Sequence, residues 1–335
     1  MFMTQTRRRF LTAAALAGAA SLARAPRLMA GEGNLETTTV RVVTGAGGIC
    51  AAPQQVAREL LRAEGFTDIH YGAEVRADVT EAVGGGAFDF SVNFASSLAA
   101  AIDRGVPVTV LAGVHIGCFG LFGHEGIRGI ADLRGKSVAV GALRGPAHLF
   151  VAAMAAHVGI DPGKDINWVA SPGRKAMDLF AEGQADAFLG FPPQPQELRA
   201  RQIGHLVVDS AVDRPWSQYF CCLLYGNTDY VRKHPVATKR VLRAVLKGAD
   251  LCAAQPERVD RQLVDDGLTE SYDRILEVIR GLPYDKWREY DHEDTMRFYA
   301  LRLHEAGLIL STPQKIIADG TDWRFLSELK RELKA

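Results

Sequence analysis

The strongest constraint on this chain is a nine-residue phrase written twice. Gly86-Ala-Phe-Asp-Phe-Ser-Val-Asn-Phe94 and Gly183-Gln-Ala-Asp-Ala-Phe-Leu-Gly-Phe191 each begin with glycine, place aspartate fourth and end on phenylalanine. The echo runs backwards from there. Asp68-Ile69 precedes Asp89 by the same step that separates Asp165-Ile166 from Asp186. Before each lies a helical pattern that stops at a glycine: Gln54 to Glu64 before Gly65, and His148 to His157 before Gly159. Before those come strand-like runs, Thr39–Val43 and Lys136–Val140, each opening into a glycine-bearing loop.

Each copy therefore reads strand, loop, helix, strand, helix, strand, which is a βαβαβ half with a parallel sheet and helices on both faces. Gly65 and Gly159 occupy the helix-ending position where glycine alone adopts the left-handed turn cheaply. Asp89 and Asp186 each follow a stop and begin a buried strand. Neither has a local acid or base partner, so both are expected to accept backbone N–H bonds rather than to catalyse. After the second copy, Leu223-Leu-Tyr225 resumes a strand, and helices follow from about Lys233. Such a length exceeds a comfortable single core, so two lobes are expected.

In wound sheets, ligands sit beyond the carboxyl ends of the strands, at helix N-termini. That rule nominates Gly45–Pro53, Asn93–Ser97, Ala142–His148 and Phe191–Gln194. Gly45-Ala-Gly-Gly48 is not a dinucleotide fingerprint, because G-x-G-x-x-G would need glycine at Cys50. Its Gly47 and Gly48 instead let a ligand approach backbone amides. No C-x-x-C, H-E-x-x-H or G-x-S-x-G occurs, so neither a cofactor nor a catalytic residue is expected.

The N-terminus reads as an export signal. Thr6-Arg-Arg-Arg-Phe-Leu11 leads into an Ala/Leu run too short to span a bilayer, and its paired arginines resemble the twin-arginine type. With cleavage after Ala30, residues 1–30 take away five arginines and no acid. The balance of 39 basic and 39 acidic residues then becomes a deficit of five. A mildly acidic exported protein is not expected to bind nucleic acid or to insert into a membrane.

Four stretches carry a family resemblance: Gly126-Ile-Arg-Gly-Ile-Ala-Asp-Leu-Arg-Gly-Lys-Ser-Val-Ala-Val140, Gly145-Pro-Ala-His148, Ala176 to Asp186, and Val231-Arg-Lys-His-Pro235. Over about residues 38–330 the chain resembles type II periplasmic solute-binding proteins of the nitrate, sulfonate and taurine group, also grouped with thiamine-pyrimidine precursor binders. The resemblance implies two doubly wound α/β lobes with a ligand cleft between them. Lobe one would hold 38–117 and 225–335, and lobe two 123–217, joined by hinge crossovers at 115–122 and 218–224. It also implies a monomer that captures a small molecule in the periplasm and delivers it to an ABC transporter permease.

The site residues follow from chemistry at the nominated strand ends. Arg144 offers a bidentate fork for a carboxylate or sulfonate at a helix start, with Gly145 and His148 beside it. Asn93, Ser96 and Ser97 offer neutral hydrogen bonds, with a helix cap as the competing role for the serines. Phe191, Gln194, Trp216 and Tyr219 would form the walls, core packing being the alternative for each aromatic. One cationic end and an aromatic body suit a small organic anion.

With the crossovers side by side, Cys118 would lie near Cys221 or Cys222, and Cys50 would face the same cleft. A hinge disulfide and buried free thiols are both open readings. A metal site with His115, His124 or His148 is a further one. Rival functions are thiamine-pyrimidine-precursor binding or a metal- or thiol-dependent enzyme on this scaffold, or the ligand-sensing subunit of a signalling system.

Overall fold

The computed structural model describes residues 33–43, 48–72, 78–172, 174–267 and 272–333. The export signal and Gly47 lie outside them. From Leu35 onward the chain forms one compact unit built on two five-stranded sheets. Strands are numbered in chain order. The first sheet holds β1 (Thr39–Val43), β2 (Asp68–Gly72), β3 (Phe90–Phe94), β4 (Val108–Ile116) and β10 (Phe220–Asn227) in the order β2-β1-β3-β10-β4. The second holds β5 (Gly120–Gly123), β6 (Ser137–Val140), β7 (Asn167–Ala170), β8 (Ala187–Gly190) and β9 (His205–Asp209) in the order β7-β6-β8-β5-β9. In each, three strands run parallel and the fourth is antiparallel to both its neighbours. That fourth strand arrives from the other sheet: β4 hands over to β5, and β9 to β10.

The two aspartates of the repeated phrase do the same job in each sheet. Asp89 stands one residue before β3 and accepts the Arg41 N–H at 2.7 Å, with Arg41 Nε at 3.2 Å. Asp186 stands one residue before β8 and accepts the Ser137 N–H and hydroxyl, each at 2.7 Å. Val42 pairs with Phe90 and Val138 with Ala187, so the positions are equivalent. Each carboxylate closes the start of a parallel pair where the ladder leaves an N–H unpaired. The Ser137 bonds hold the Asp186 carboxyl below its ordinary range. Gly65 and Gly159, at φ +101° and +77°, end their helices as expected.

Asp89→Ala leaves the Arg41 N–H without an acceptor in a buried ladder, and is expected to lower stability by about 2–3 kcal/mol in urea denaturation. Asp89→Asn keeps an acceptor and should lose less. Equal losses would assign the effect to packing instead.

Both expected crossovers prove shorter. Residues 115–116 and 120–122 are ladder residues of β4 and β5, and residues 220–224 are ladder residues of β10, bonded to β3 and β4. The chain passes between the sheets at 117–119 and 210–219. The run Phe-Cys-Cys-Leu-Leu is buried on both faces, and a fully buried central strand satisfies its backbone where an open connector would not.

Candidate functional site

Helix Pro146–His157 starts just beyond β6, and helix Gln194–Ala200 just beyond β8. Between those two starts lies a pocket of 370 Å³ lined by Ala142, Gly145, Pro146, Ala147, Pro172, Ala176, Phe188, Phe191 and Gln194, with Phe94 from the end of β3. Phe94 and Phe191 are the closing residues of the two copies of the phrase. Their rings meet across the sheets at 4.5 Å between centroids. Phe150 extends the cluster to Phe119 at 4.5 Å and to Tyr299 at 5.3 Å. The lining is almost wholly apolar. Gln194 Oε1 is occupied locally, accepting the Phe191 N–H at 3.2 Å. What the pocket offers an anion is the first turn of helix Pro146–His157, whose early amides lack intrahelical partners.

Of the described residues predicted from sequence, Gly145, Phe191 and Gln194 line this pocket and the others do not. Arg144 is exposed at φ +61°, and its guanidinium donates to the Leu308 carbonyl at 3.1 Å. The left-handed turn before Gly145 aims it away from the pocket. His148 is buried against Trp168, with ring centroids 4.3 Å apart. Burial, and then the Arg144 charge, pull its pKa down to about 4, so it is neutral at pH 7. Asn93 is spent on its surroundings, donating to Thr80 Oγ1 at 2.8 Å and accepting the Phe94 N–H at 2.8 Å. Ser96 and Ser97 lie within helix Ala95–Asp103 and do not cap it, since Phe94 holds the cap position. Gly48 opens a short turn, Gly48–Ala51.

Trp216 and Tyr219 are packing residues. Trp216 is 2% exposed, and both rings lie on Phe298, Tyr219 stacked at 4.0 Å. Phe298 and Tyr299 belong to helix His292–Glu305, which packs on helices Ala95–Asp103 and Pro146–His157 and so touches both halves. Sequence reading missed this helix as a cleft element. It also missed Phe94, which the repeat itself pointed to as the counterpart of Phe191.

A second cluster lies alongside. Cys222, in β10, pairs in register with Phe94 on one side and His115 on the other. Cys118, in the first crossover, is disulfide-bonded to Cys221, with Cα atoms 6.2 Å apart. This is one of the pairings left open by the sequence. Cys222 Sγ lies 3.9 Å from Cys118 Sγ and 3.8 Å from Cys221 Sγ. The sulfur atoms of Cys50, Cys118 and Cys222 all lie within 4.8 Å of one another, and all three residues are buried. His115 places its ring nitrogens 3.0 Å from the Ile116 and Cys50 carbonyls. A hydrogen bond from Cys222, aided by His115, holds the Cys50 thiol below the usual range, while burial pushes Cys222 up. His124 and His148 take no part: His124 bonds the Phe180 carbonyl at 2.7 Å.

Two wound sheets that exchange their fourth strands and face each other across an aromatic-lined pocket define the type II periplasmic-binding-protein fold. The structure superposes on the periplasmic nitrate-binding protein NrtA of Synechocystis PCC 6803 with a TM-score of 0.72, at 15% identity over 90% of each chain. It superposes on the alkanesulfonate-binding protein SsuA of Xanthomonas axonopodis pv. citri, solved with MOPS, with a TM-score of 0.67, at 15% identity over 87% of this chain and 100% of that one. In sequence it is 26% identical to the bicarbonate-binding protein CmpA of Synechococcus elongatus over 109 residues, 32% of this chain and 24% of CmpA. It is also 26% identical to the 4-amino-5-hydroxymethyl-2-methylpyrimidine phosphate synthase THI12 of Saccharomyces cerevisiae over 204 residues, 56% of this chain and 58% of the synthase. The chain thus spans about a quarter of the first curated relative and under two thirds of the second. The family model described as NMT1/THI5 like matches residues 68–259, more than half the chain, and the chain belongs to that family.

Proposed function

We propose that this protein is the exported substrate-binding component of an ABC importer, and that it captures a small organic anion with an apolar or aromatic body. The observation that carries the reading is the pocket lined by Phe94 and Phe191, which joins an aromatic wall to an uncapped helix start. Rings and alkyl groups gain by leaving water there, and an acidic end meets the amides and positive dipole of helix Pro146–His157. The solute-binding names of several relatives support the class. The two passages between sheets, at 117–119 and 210–219, would flex as the halves close on the solute. Export through the N-terminal signal, a monomeric state and a permease partner complete the reading. Among the described residues no helix is long and apolar enough to cross a membrane.

The test is a thermal-shift and calorimetric screen of alkyl and aryl sulfonates and carboxylates against neutral alcohols of the same body. Anions are expected to stabilise the protein and the matched alcohols to fail. Phe191→Ala should raise Kd at least tenfold, about 1.4 kcal/mol, through lost apolar contact. Arg144→Ala should change Kd by less than about threefold, because its guanidinium is turned outward. Equal binding of alcohol and anion would defeat the proposal.

A further inference from the structure

We propose that Cys50, Cys118 and Cys222 form a buried trithiolate site for a soft metal ion of the copper(I) class, which the Cys118–Cys221 disulfide closes and reduction opens. Three sulfur atoms around one ion, at metal–sulfur bonds of about 2.3 Å, sit about 4 Å apart when the geometry is trigonal. Here Cys118 and Cys222 are 3.9 Å apart, and no pair among the three exceeds 4.8 Å. Only small rotations separate the present arrangement from a coordinating one.

The donor set selects the ion. Thiolates without oxygen or imidazole favour soft ions, whereas zinc in a structural site takes four ligands. His115 bears on the Cys50 thiol, but both its ring nitrogens are held at 3.0 Å by the carbonyls of Ile116 and Cys50, so it is not free to ligate. His124 is bound to Phe180. The three cysteines come from separate parts of the fold: the turn after β1, the crossover between sheets, and β10. An ion there would tie the crossover to the first sheet by a second bond type. Cys118 also lines a pocket of 220 Å³ with Phe119, Arg199, Asp209 and Glu277, the side from which an ion would approach the cluster.

The redox step balances simply. A dithiol reductant gives two electrons and two protons to the Cys118–Cys221 bond and becomes a disulfide, leaving both cysteines as thiols. Cys50, Cys118 and Cys222 then shed their protons as the ion binds. Cys221 keeps its proton and serves only to lock Cys118 when oxidised. The proposal stands apart from the solute reading, because it uses none of the residues that line the pocket beside Phe94 and Phe191.

The experiment titrates the full chain with copper(I) under anaerobic conditions against a chromophoric copper(I) chelator. Reduced wild type is expected to take up one ion per chain in competition with the chelator, and the oxidised protein none. Cys221→Ser, prepared anaerobically and freed of reductant, should bind as reduced wild type does. Cys50→Ser and Cys222→Ser should each weaken binding at least a hundredfold, with Cys252→Ser unchanged. Should the serine variants fold poorly, X-ray absorption on copper-loaded wild type decides: three sulfur scatterers and no nitrogen are expected. A nitrogen in the shell, uptake by the oxidised form, or loss of binding in Cys221→Ser would each overturn the assignment. Absence of an anion effect in the solute screen would leave this result untouched.

Discussion

Between pH 7 and pH 4 this protein is expected to lose several kcal/mol of stability, with His292 contributing the largest part. His292 is 4% exposed and lies flat on Phe220, with ring centroids 4.5 Å apart. Its Nδ1 accepts the Gly113 N–H at 2.6 Å, so a proton there would set donor against donor. Burial first, and the Lys330 charge second, bring its pKa down to about 3. The unfolded chain binds a proton near pH 6.5 that the native state refuses until about pH 3. Stability is therefore whole above 6.5 and falls as pH drops through that window. Over the interval down to pH 4 the loss is roughly 3 kcal/mol from this one ring, against a total of about 5–15 kcal/mol for an ordinary domain. His148, buried beside Arg144 and drawn to about 4, adds to the same fall.

The check is urea denaturation at both pH values for wild type and His292→Asn, whose carbonyl can still accept from Gly113. The variant should be weaker at pH 7 for want of the stack, and should close that gap by about 3 kcal/mol at pH 4. Parallel losses in the two proteins would clear His292 of the effect.

Gly248→Ala is expected to be among the most damaging single methyl additions. In the interior of helix Pro235–Ala254, alanine would ordinarily gain about 1 kcal/mol over glycine. Here a Cβ would fall well inside van der Waals contact of the Pro53 carbonyl, on the helix Ala52–Ala63 that follows the turn bearing Cys50. Backbone cannot rotate aside as a side chain can. The clash should prevail, with a net loss of about 3 kcal/mol, or roughly 5–10 °C in melting temperature. Gly281→Ala, at the exposed end of helix Tyr272–Gly281 with open space around it, should be neutral or mildly stabilising. If both variants melt together, the close approach at Pro53 is not what holds the helices.

The repeated phrase was legible because it is local. A strand that must start beside a carboxylate, and a helix that must end on a left-handed glycine, leave their residues at fixed spacing. Both signals sat twice in the chain, and both proved structural. The candidate pocket was legible only in part. Gly145, Phe191 and Gln194, nominated by the rule that strand ends face a ligand, line it. Arg144 was misplaced because charge and position do not reveal which way a side chain leaves a left-handed turn. Trp216 and Tyr219 were misplaced because their partner, Phe298, lies some eighty residues downstream.

By itself the sequence determined the duplicated α/β plan, the capping role of Asp89 and Asp186 and the glycine stops, since each depends on neighbours within one supersecondary unit. Tertiary structure alone decided that Phe94 meets Phe191, that helix His292–Glu305 lies against both halves, and that Cys118 pairs with Cys221 while Cys50 and Cys222 stand beside them. Those contacts join residues brought together only when two separately wound sheets exchange strands, and no periodicity along the chain encodes that meeting.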